Sequence, residues 1–451
     1  MKTGVITIKD ALNSGYRIDP SLHLSEGAKV RSELAHLPYS LTTVANSSSS
    51  IFLGNIFSRC FVSKPEFGVT YLAASDTVLA NIETGRYLSK KQASKLSYLM
   101  IEKDWILVTC SGTLGNVTYT NKTFCDKIAT HDLIRIIPDD TKFKKGCLYA
   151  FLSSKFGYYQ ITQSQFGGVV KHINDKQAGA ILVPQFPEAF QQEVDNLIQE
   201  SARLREEATD ALEQAKHTIE ELFPKFHMKN TGSICSTEII SSLGKRFEAT
   251  YHQSAGKEYD EFIKNHFKWK SLSEMASVSR PDLFKRNYVK NGLMFLGGRD
   301  IFLDIPQSAK FVSKTLTPNI GTLVIKEGDI LMPRSGTIGD VAIATSQHAQ
   351  KLASEHVIRI SADNILRAGY IYAFLSSAIG KALIQRYIFG SVIQHVEPHQ
   401  LNHIPVPLLD EDLMKSISTL AMTNKEKLGL AGELELKAIS MVEEEIEKWN
   451  S

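Results

Sequence analysis

Two stretches of the chain place apolar residues at alternating three- and four-residue steps. Phe190, Val194, Leu197, Leu204, Ala208, Ala211, Ala215 and Leu222 form one stripe, with polar Ser201 and Thr218 in its gaps. Leu413, Ile417, Leu420, Leu428, Ala431, Leu434, Ala438, Val442, Ile446 and Trp449 form the other, interrupted by Gly429 and Gly432. This spacing predicts two long helices with a packing seam, the first ended by Pro224. Neither has a helical partner in its own half of the sequence, so the two are expected to pack on each other as an antiparallel coiled coil. Elsewhere the pattern changes to short β-rich runs such as Asp104–Thr109 and Asp329–Met332, broken by Gly, Asp and Pro, with helices expected over Leu148–Gln160 and Tyr370–Arg386. The class is α+β. Asn230–Ser242, rich in Ser and Thr, reads as a linker.

These elements occur twice. The hexapeptide Tyr149–Ser154 returns unchanged as Tyr372–Ser377, an offset of 223. Ser111–Gly115 answers to Ser335–Gly339, and Ala129–Arg135 to Ala353–Arg359, both at 224. Phe166–Ile173 pairs with Phe389–Val396, Ile181–Pro184 with Ile404–Pro407, and near the starts Gly15–Asp19 and His23 match Gly244–Glu248 and His252. Solenoid units run roughly 20–50 residues, so this is duplication of a whole domain with its attached helix. The expected divisions are residues 1–186 and 229–408 for the globular copies, with 187–228 and 409–451 for the helices.

Composition adds little until charge is mapped along the chain. The 451 residues, 43% of them hydrophobic, suit about two to three domains. The first ten residues lack the apolar core of a signal peptide, and no run reaches the roughly 18 apolar residues of a membrane span, so a cytoplasmic protein with no membrane association is expected. Five cysteines without C-x-x-C spacing indicate neither disulfide frame nor zinc knuckle and read as buried thiols. The formal net charge is +2, but Glu188–Leu222 carries −7 and Asp410–Trp449 carries −5, which leaves +14 on the rest. Basic globular copies beside acidic helices suit a polyanionic partner.

Ser-Gly-Thr-x-Gly lacks the Gly-Lys-Ser/Thr of a phosphate loop and is followed by strand-like residues, so its glycines are read as a tight turn between strands. His131-Asp132 and Glu355-His356 invert acid and imidazole between the copies and have no nucleophile in step, which argues for structural polar groups over catalysis. His172 and His395 recur in register without metal-ligand spacing. Just before them, Gln163, Gln165 and Lys171 in one copy and Arg386 and Gln394 in the other stand beside glycines and aromatics. Arg and Lys suit guanine or phosphate, and Gln suits adenine. Further candidate DNA contacts are Lys90, Lys91 and Lys95, and Lys310, Lys314 and Arg334. The chain carries neither the Asn/Asp-Pro-Pro-Tyr/Phe of a DNA adenine methylase nor Gly-Lys-Ser/Thr of a translocase.

Phe-Gly-Gly/Ser-Val-x-x-His-Ile/Val leading to Val-Pro and a long helix in each copy, with Gly328-Asp329-Ile330-Leu331 running into Arg334-Ser335-Gly336-Thr337-Ile338-Gly339, resembles the DNA-specificity (S) subunit of type I restriction-modification systems. The resemblance covers essentially the whole chain. It implies a non-catalytic reader in which each globular copy is a target-recognition domain for one half of a bipartite, asymmetric double-stranded DNA site, and the helices set the gap. It also implies two methylation (M) subunits using S-adenosylmethionine, and restriction/translocase (R) subunits using ATP and magnesium, with no cofactor or metal in this chain. Alternatives are the specificity module of a related phage-defence methylation system, a non-specific DNA-binding assembly scaffold, or an enzyme with a cryptic site. Because +14 is concentrated outside the helices, affinity for duplex DNA is expected to fall at least about tenfold between roughly 50 and 200 mM salt. A salt titration of binding measures this, and a flat profile would count against the charge argument.

Overall fold

The computed structural model describes residues 5–8, 12, 16, 18, 23–163, 172–227 and 232–449. Gly15, Arg17 and Asp19 of the opening motif, the loop 166–171 with Lys171, Gln165 before it, and Asn230 lie outside the described residues. In chain order the first half contains α1 (Glu26–Ala35), β1 (Leu41–Thr43), β2 (Ser48–Leu53), β3 (Phe61–Val62), β4 (Gly68–Leu72), β5 (Tyr87–Ser89) and α2 (Lys90–Ala93). It continues with β6 (Ile106–Thr109), β7 (Val117–Tyr119), β8 (Ile128–Ala129), β9 (Leu133–Pro138), α3 (Lys145–Ser153), α4 (Lys155–Gln163), α5 (Asp175–Gly179), β10 (Leu182–Pro184) and α6 (Glu188–Glu220). The second half contains α7 (Ser236–Ser241), α8 (Ala249–His252), α9 (Ala255–His266), β11 (Lys268–Ser271), α10 (Leu272–Met275), β12 (Ser277–Ser279), β13 (Tyr288–Leu296) and β14 (Phe311–Val312). It ends with β15 (Ile330–Pro333), β16 (Ala342–Ile343), β17 (Leu352–Ala353), β18 (Val357–Ser361), α11 (Ile365–Ser376), α12 (Ala378–Arg386), α13 (Pro398–Leu401), β19 (Pro405–Leu408) and α14 (Glu411–Glu447).

The chain divides into two compact units, one comprising Met1–Glu206 and Ala431–Ser451, the other Glu207–Leu430. Each long helix therefore contributes to both. Strand order repeats: β2-β9-β6-β7 in the first unit and β12-β18-β15-β16 in the second, with β1 on β10 in one and β11 on β19 in the other. A parallel pair recurs at an offset of 224, Tyr71 with Ile128 and Phe295 with Leu352. The Ser-Gly-Thr-x-Gly segments join the antiparallel pairs β6/β7 and β15/β16, and their glycines take φ of +69° and +93° in one copy and +85° and +111° in the other. That left-handed region strains other residues, which explains the glycines as turn formers.

The expected single helix after each sheet is split. Ser154 and Ser377 take extended φ/ψ between α3 and α4 and between α11 and α12. Gly157 and Gly380 follow because a Cβ there would lie 2.4 and 2.1 Å from a carbonyl oxygen of the preceding helix. The linker expectation fails for its second part, since Ser236–Ser241 is helical and Glu238 accepts from the Cys235 amide at 3.0 Å. The cysteines divide as well: Cys110 and Cys147 are buried, whereas Cys60 and Cys235 are exposed.

Within the first unit the core joins Val194, Ile198 and Ala202 of α6 to Ala438, Val442 and Ile446 of α14, under α3 and the sheet. Within the second, Leu212, Ala215 and Ile219 of α6 join Ile417, Ala421 and Met422 of α14 under α11. The seam is displaced from the sequence reading at Ile198, Leu212 and Ile219, while Trp449 is 49% exposed. Polar contacts repeat at an offset of 223: Ser201 Oγ donates to Ala431 O at 2.7 Å, and Asn424 Nδ2 donates to Ala208 O at 2.8 Å. Glu443 accepts from the Lys155 amide at 2.6 Å and Glu220 from the Ala378 amide at 2.7 Å, each meeting an orphan donor at a helix start, as the helix dipole favours.

Arg135 and Arg359 sit at matching places in β9 and β18. Arg135 is fully buried and donates to the carbonyls of Leu133, Ala129 and Thr130 at 2.9, 3.0 and 3.2 Å. Burial lowers its pKa to about 10. Arg359 donates through Nη1 to Thr322 O at 2.7 Å and Val324 O at 3.1 Å. Each arginine ties neighbouring segments together by donating to several backbone carbonyls.

His348 supplies the second unit with an acid-sensitive element. Its Nδ1 accepts from the Thr345 amide at 3.2 Å and its Nε2–H donates to Ile301 O at 3.0 Å. Burial pushes its pKa down to about 4, with Lys351 acting in the same direction and the Ile301 hydrogen bond opposing both. The unfolded imidazole titrates near 6.5, so the unfolded state binds the extra proton first. The associated stability is complete above that value and is lost as pH falls toward 4. Urea unfolding at pH 7 and pH 5 is expected to show a loss of about 2 kcal/mol in the parent that His348→Gln lacks. Equal losses in both proteins would exclude His348 as the source.

Candidate nucleic-acid interface

A further sheet in each unit, β3-β5-β4-β8 in the first and β14-β13-β17 in the second, brings cations to matching positions. Val69 faces Leu88 and Thr70 faces Tyr87 across β4/β5; Leu293 faces Val312 and Met294 faces Phe311 across β13/β14, all displaced by 224. The flanking hydrogen bonds recur, Tyr71 N to Arg86 O at 2.8 Å and Phe295 N to Lys310 O at 2.9 Å. So do those of Ala73 N to Asp76 and Gly297 N to Asp300, at 2.7 and 2.8 Å. This register makes Arg86 the counterpart of Lys310, and Lys90 the counterpart of Lys314. Lys90 directly follows β5, Lys314 lies two residues past β14, and both are exposed. Lys91 and Lys95, also exposed, correspond to Thr315 and Asn319. Two exposed cation positions are thus common to the repeats, while Lys91 and Lys95 have no cationic counterpart.

The other candidates have varied surroundings. Arg334 is committed to Glu397, to which its Nε donates at 2.8 Å; Arg280 Nε reaches the same carboxylate at 3.1 Å. Burial opposes ionisation of Glu397, but hydrogen bonds from Arg334 and Arg280 outweigh it and hold the carboxyl below its ordinary range. Arg386 lies 4.6 Å over the Tyr251 ring and 3.4 Å from Asp260, with only 11% of its side chain exposed. Gln163 closes α4, half-buried beside Gly27, whereas Gln394 is exposed on a hairpin. Gln165 and Lys171 lie outside the described residues.

The paired acids and histidines are structural. Ser111 Oγ donates to Asp132 at 3.1 Å, tying the glycine turn to the head of β9. Glu355 is buried and pairs with Arg286, whose guanidinium lies 5.4 Å over the Phe295 ring. His172 and His395 form isolated bridges with Ser111 and Ser335 beside the two turns. Among the described residues no group of three His, Cys, Asp or Glu side chains could hold a metal ion, and no helix is long and apolar enough to cross a membrane.

Sequence reading missed Arg59, Arg86, Arg280 and Arg286. Arg59 Nε donates to the Tyr71 hydroxyl at 2.6 Å and lies 5.7 Å over the Phe57 ring. The 224-residue offset, extended from the strong landmarks back to 69–90, would have paired Arg86 with Lys310 and Lys90 with Lys314. Nothing in sequence marked Glu397 as the anion that occupies Arg334.

Residues 265–412 match the family model described as the type I restriction modification DNA specificity domain. No match to a curated protein is found. Among solved structures, the chain is similar to the S subunit of a type I restriction-modification system from M. genitalium at 12% identity, with 92% of this chain and 96% of that one covered and a TM-score of 0.35. It is also similar to the HsdS subunit from Thermoanaerobacter tengcongensis at 14% identity, with 92% and 95% covered and a TM-score of 0.28. The matched segment runs from the end of α9 to the start of α14 and contains Lys310, Lys314, Arg334, Arg386 and Gln394. Over residues 265–412, about a third of the chain and most of the second repeat, the protein is similar to the type I restriction-modification DNA specificity domain.

Proposed function

We propose that the chain is the non-catalytic specificity subunit of a cytoplasmic type I restriction-modification complex. Each repeat reads one half of a bipartite, asymmetric DNA site; α6 and α14, packed antiparallel as a coiled coil, set the gap and dock two methylation subunits. The observation that carries this reading is the family match over 265–412 together with recurrence of that segment's strand order and pairing in the first repeat. S-adenosylmethionine chemistry on adenine belongs to the methylation subunits. ATP-driven translocation and magnesium-dependent cleavage belong to restriction subunits.

The physical division of labour follows from the two sheets. Lys90 and Lys314 occupy matching, exposed positions and suit phosphate, which is the same at every sequence. Lys91 and Lys95 against Thr315 and Asn319 differ between repeats and suit unlike half-sites. A helix of 33 residues is about 50 Å long at 1.5 Å per residue, enough to reach between major-groove faces roughly 34–36 Å apart.

Selection from random-sequence duplexes tests the reading. A bipartite motif with a fixed gap is expected, whereas no enriched motif would leave a non-specific scaffold. Seven residues inserted into both α6 and α14 in phase with the seam should lengthen the rod by about 10 Å and widen the gap by roughly two to four base pairs, leaving both half-motifs unchanged. An unchanged gap in a stably folded insertion protein would remove the helices from this role. Lys90→Ala combined with Lys314→Ala should weaken binding across all sequences and reduce the slope of log affinity against log salt by about 2, with the selected motif intact. A changed motif would instead assign these lysines to base reading.

A further inference from the structure

The chain between α12 and α13 forms a hairpin whose apolar residues point away from the protein. Phe389 and His395 exchange both backbone hydrogen bonds, at 2.9 and 2.8 Å, and His395 bridges to Ser335 of the glycine turn. Val396 N donates to Arg334 O at 3.0 Å, which fixes the base. Gly390 takes φ of +98°, and a Cβ there would lie 2.4 Å from Ile393 O, so the tip closes tightly. At that tip Val392 is 93% exposed and Ile393 62% exposed. Isolated exposed hydrophobics are ordinary, but here two adjacent β-branched residues stand on a short, pinned loop. The sequence repeats the pair 223 residues earlier as Val169-Val170.

We infer that the Val392–Ile393 tip is a wedge that packs against a base step of duplex DNA. This rests on the proposed DNA-reading function and adds a contact to it. At the base of the hairpin Arg334 and Arg280 share the single carboxylate of Glu397, which leaves net positive charge below an uncharged tip, a combination that suits a polyanion having an apolar interior. Two side chains are far too small a patch for a stable protein interface, which needs roughly 800 Å² per partner, yet they match the apolar wedges that partly unstack one DNA step. Their branched Cβ atoms restrict χ1, so little side-chain freedom remains to be lost on insertion.

The test uses the full chain, its selected duplex, and the variant Val392→Ser/Ile393→Ser. Removing two apolar contacts should weaken DNA binding at least about tenfold with the thermal midpoint unchanged and the salt slope preserved, because no phosphate contact is lost. The exchange Val392→Ile/Ile393→Val should restore affinity to within about threefold, since it keeps both the branching and the apolar volume. Affinity of the serine variant within twofold of the parent would overturn the wedge while leaving the bipartite motif, and hence the proposed function, in place. A loss accompanied by a shallower salt slope would overturn it in favour of an electrostatic role. If the parent enriches no motif yet binds duplex DNA and the serine variant loses tenfold, the specificity reading fails and the wedge stands; if the parent binds no DNA, both fail.

Discussion

Each globular unit depends on burying an apolar helix stripe that its own half of the sequence cannot cover. A single amphipathic helix gains little in water unless that stripe packs against another element. In the first unit Val194, Ile198 and Ala202 meet Ala438, Val442 and Ile446; in the second, Leu212, Ala215 and Ile219 meet Ile417, Ala421 and Met422. Alanines along the seam permit close backbone approach, which Ser201 and Asn424 use to bond the carbonyls of Ala431 and Ala208. Such buried polar bonds also fix register, since a slip by one residue would strand both donors. Both long helices are therefore required by both units.

The globular parts are built on the same economy. Strands are short, and much of each unit is irregular chain whose carbonyls lack sheet partners. Arg135 and Arg359 donate to several backbone carbonyls from inside the core, where an unpaired polar group costs about 1–3 kcal/mol. The two arginines share a strand position but bind different carbonyls, so the device is common to the repeats while the segments it holds have diverged.

The repeats differ at several charged positions. Lys90 and Lys314 keep their place, whereas Lys91 and Lys95 give way to Thr315 and Asn319. Arg334 has no cationic counterpart, since Cys110 occupies that position, and it is matched in its own unit by Glu397. The two repeats thus present matching scaffolds with unlike side chains at these positions.

Periodicity was sufficient to reveal the long helices, because a stripe at three- and four-residue spacing has few other solutions, and identity at a fixed offset was sufficient to reveal the duplication. The glycine turns were readable for a similar reason: strand-like residues on both sides of Ser-Gly-Thr-x-Gly leave little but a tight reversal. Sequence could not show that Ile198, Leu212 and Ile219 take seam positions over Leu197, Thr218 and Leu222, since facing depends on the partner helix and not on one helix's own pattern. Nor could it show that Arg386 is folded against Tyr251 and Asp260 or that Arg334 is paired with Glu397, because those partners lie 63 to 135 residues away in the chain. An arginine reads the same in sequence whether it meets solvent, a carboxylate or a carbonyl. Only the tertiary structure assigns the partner, and with it the charge left available to a ligand.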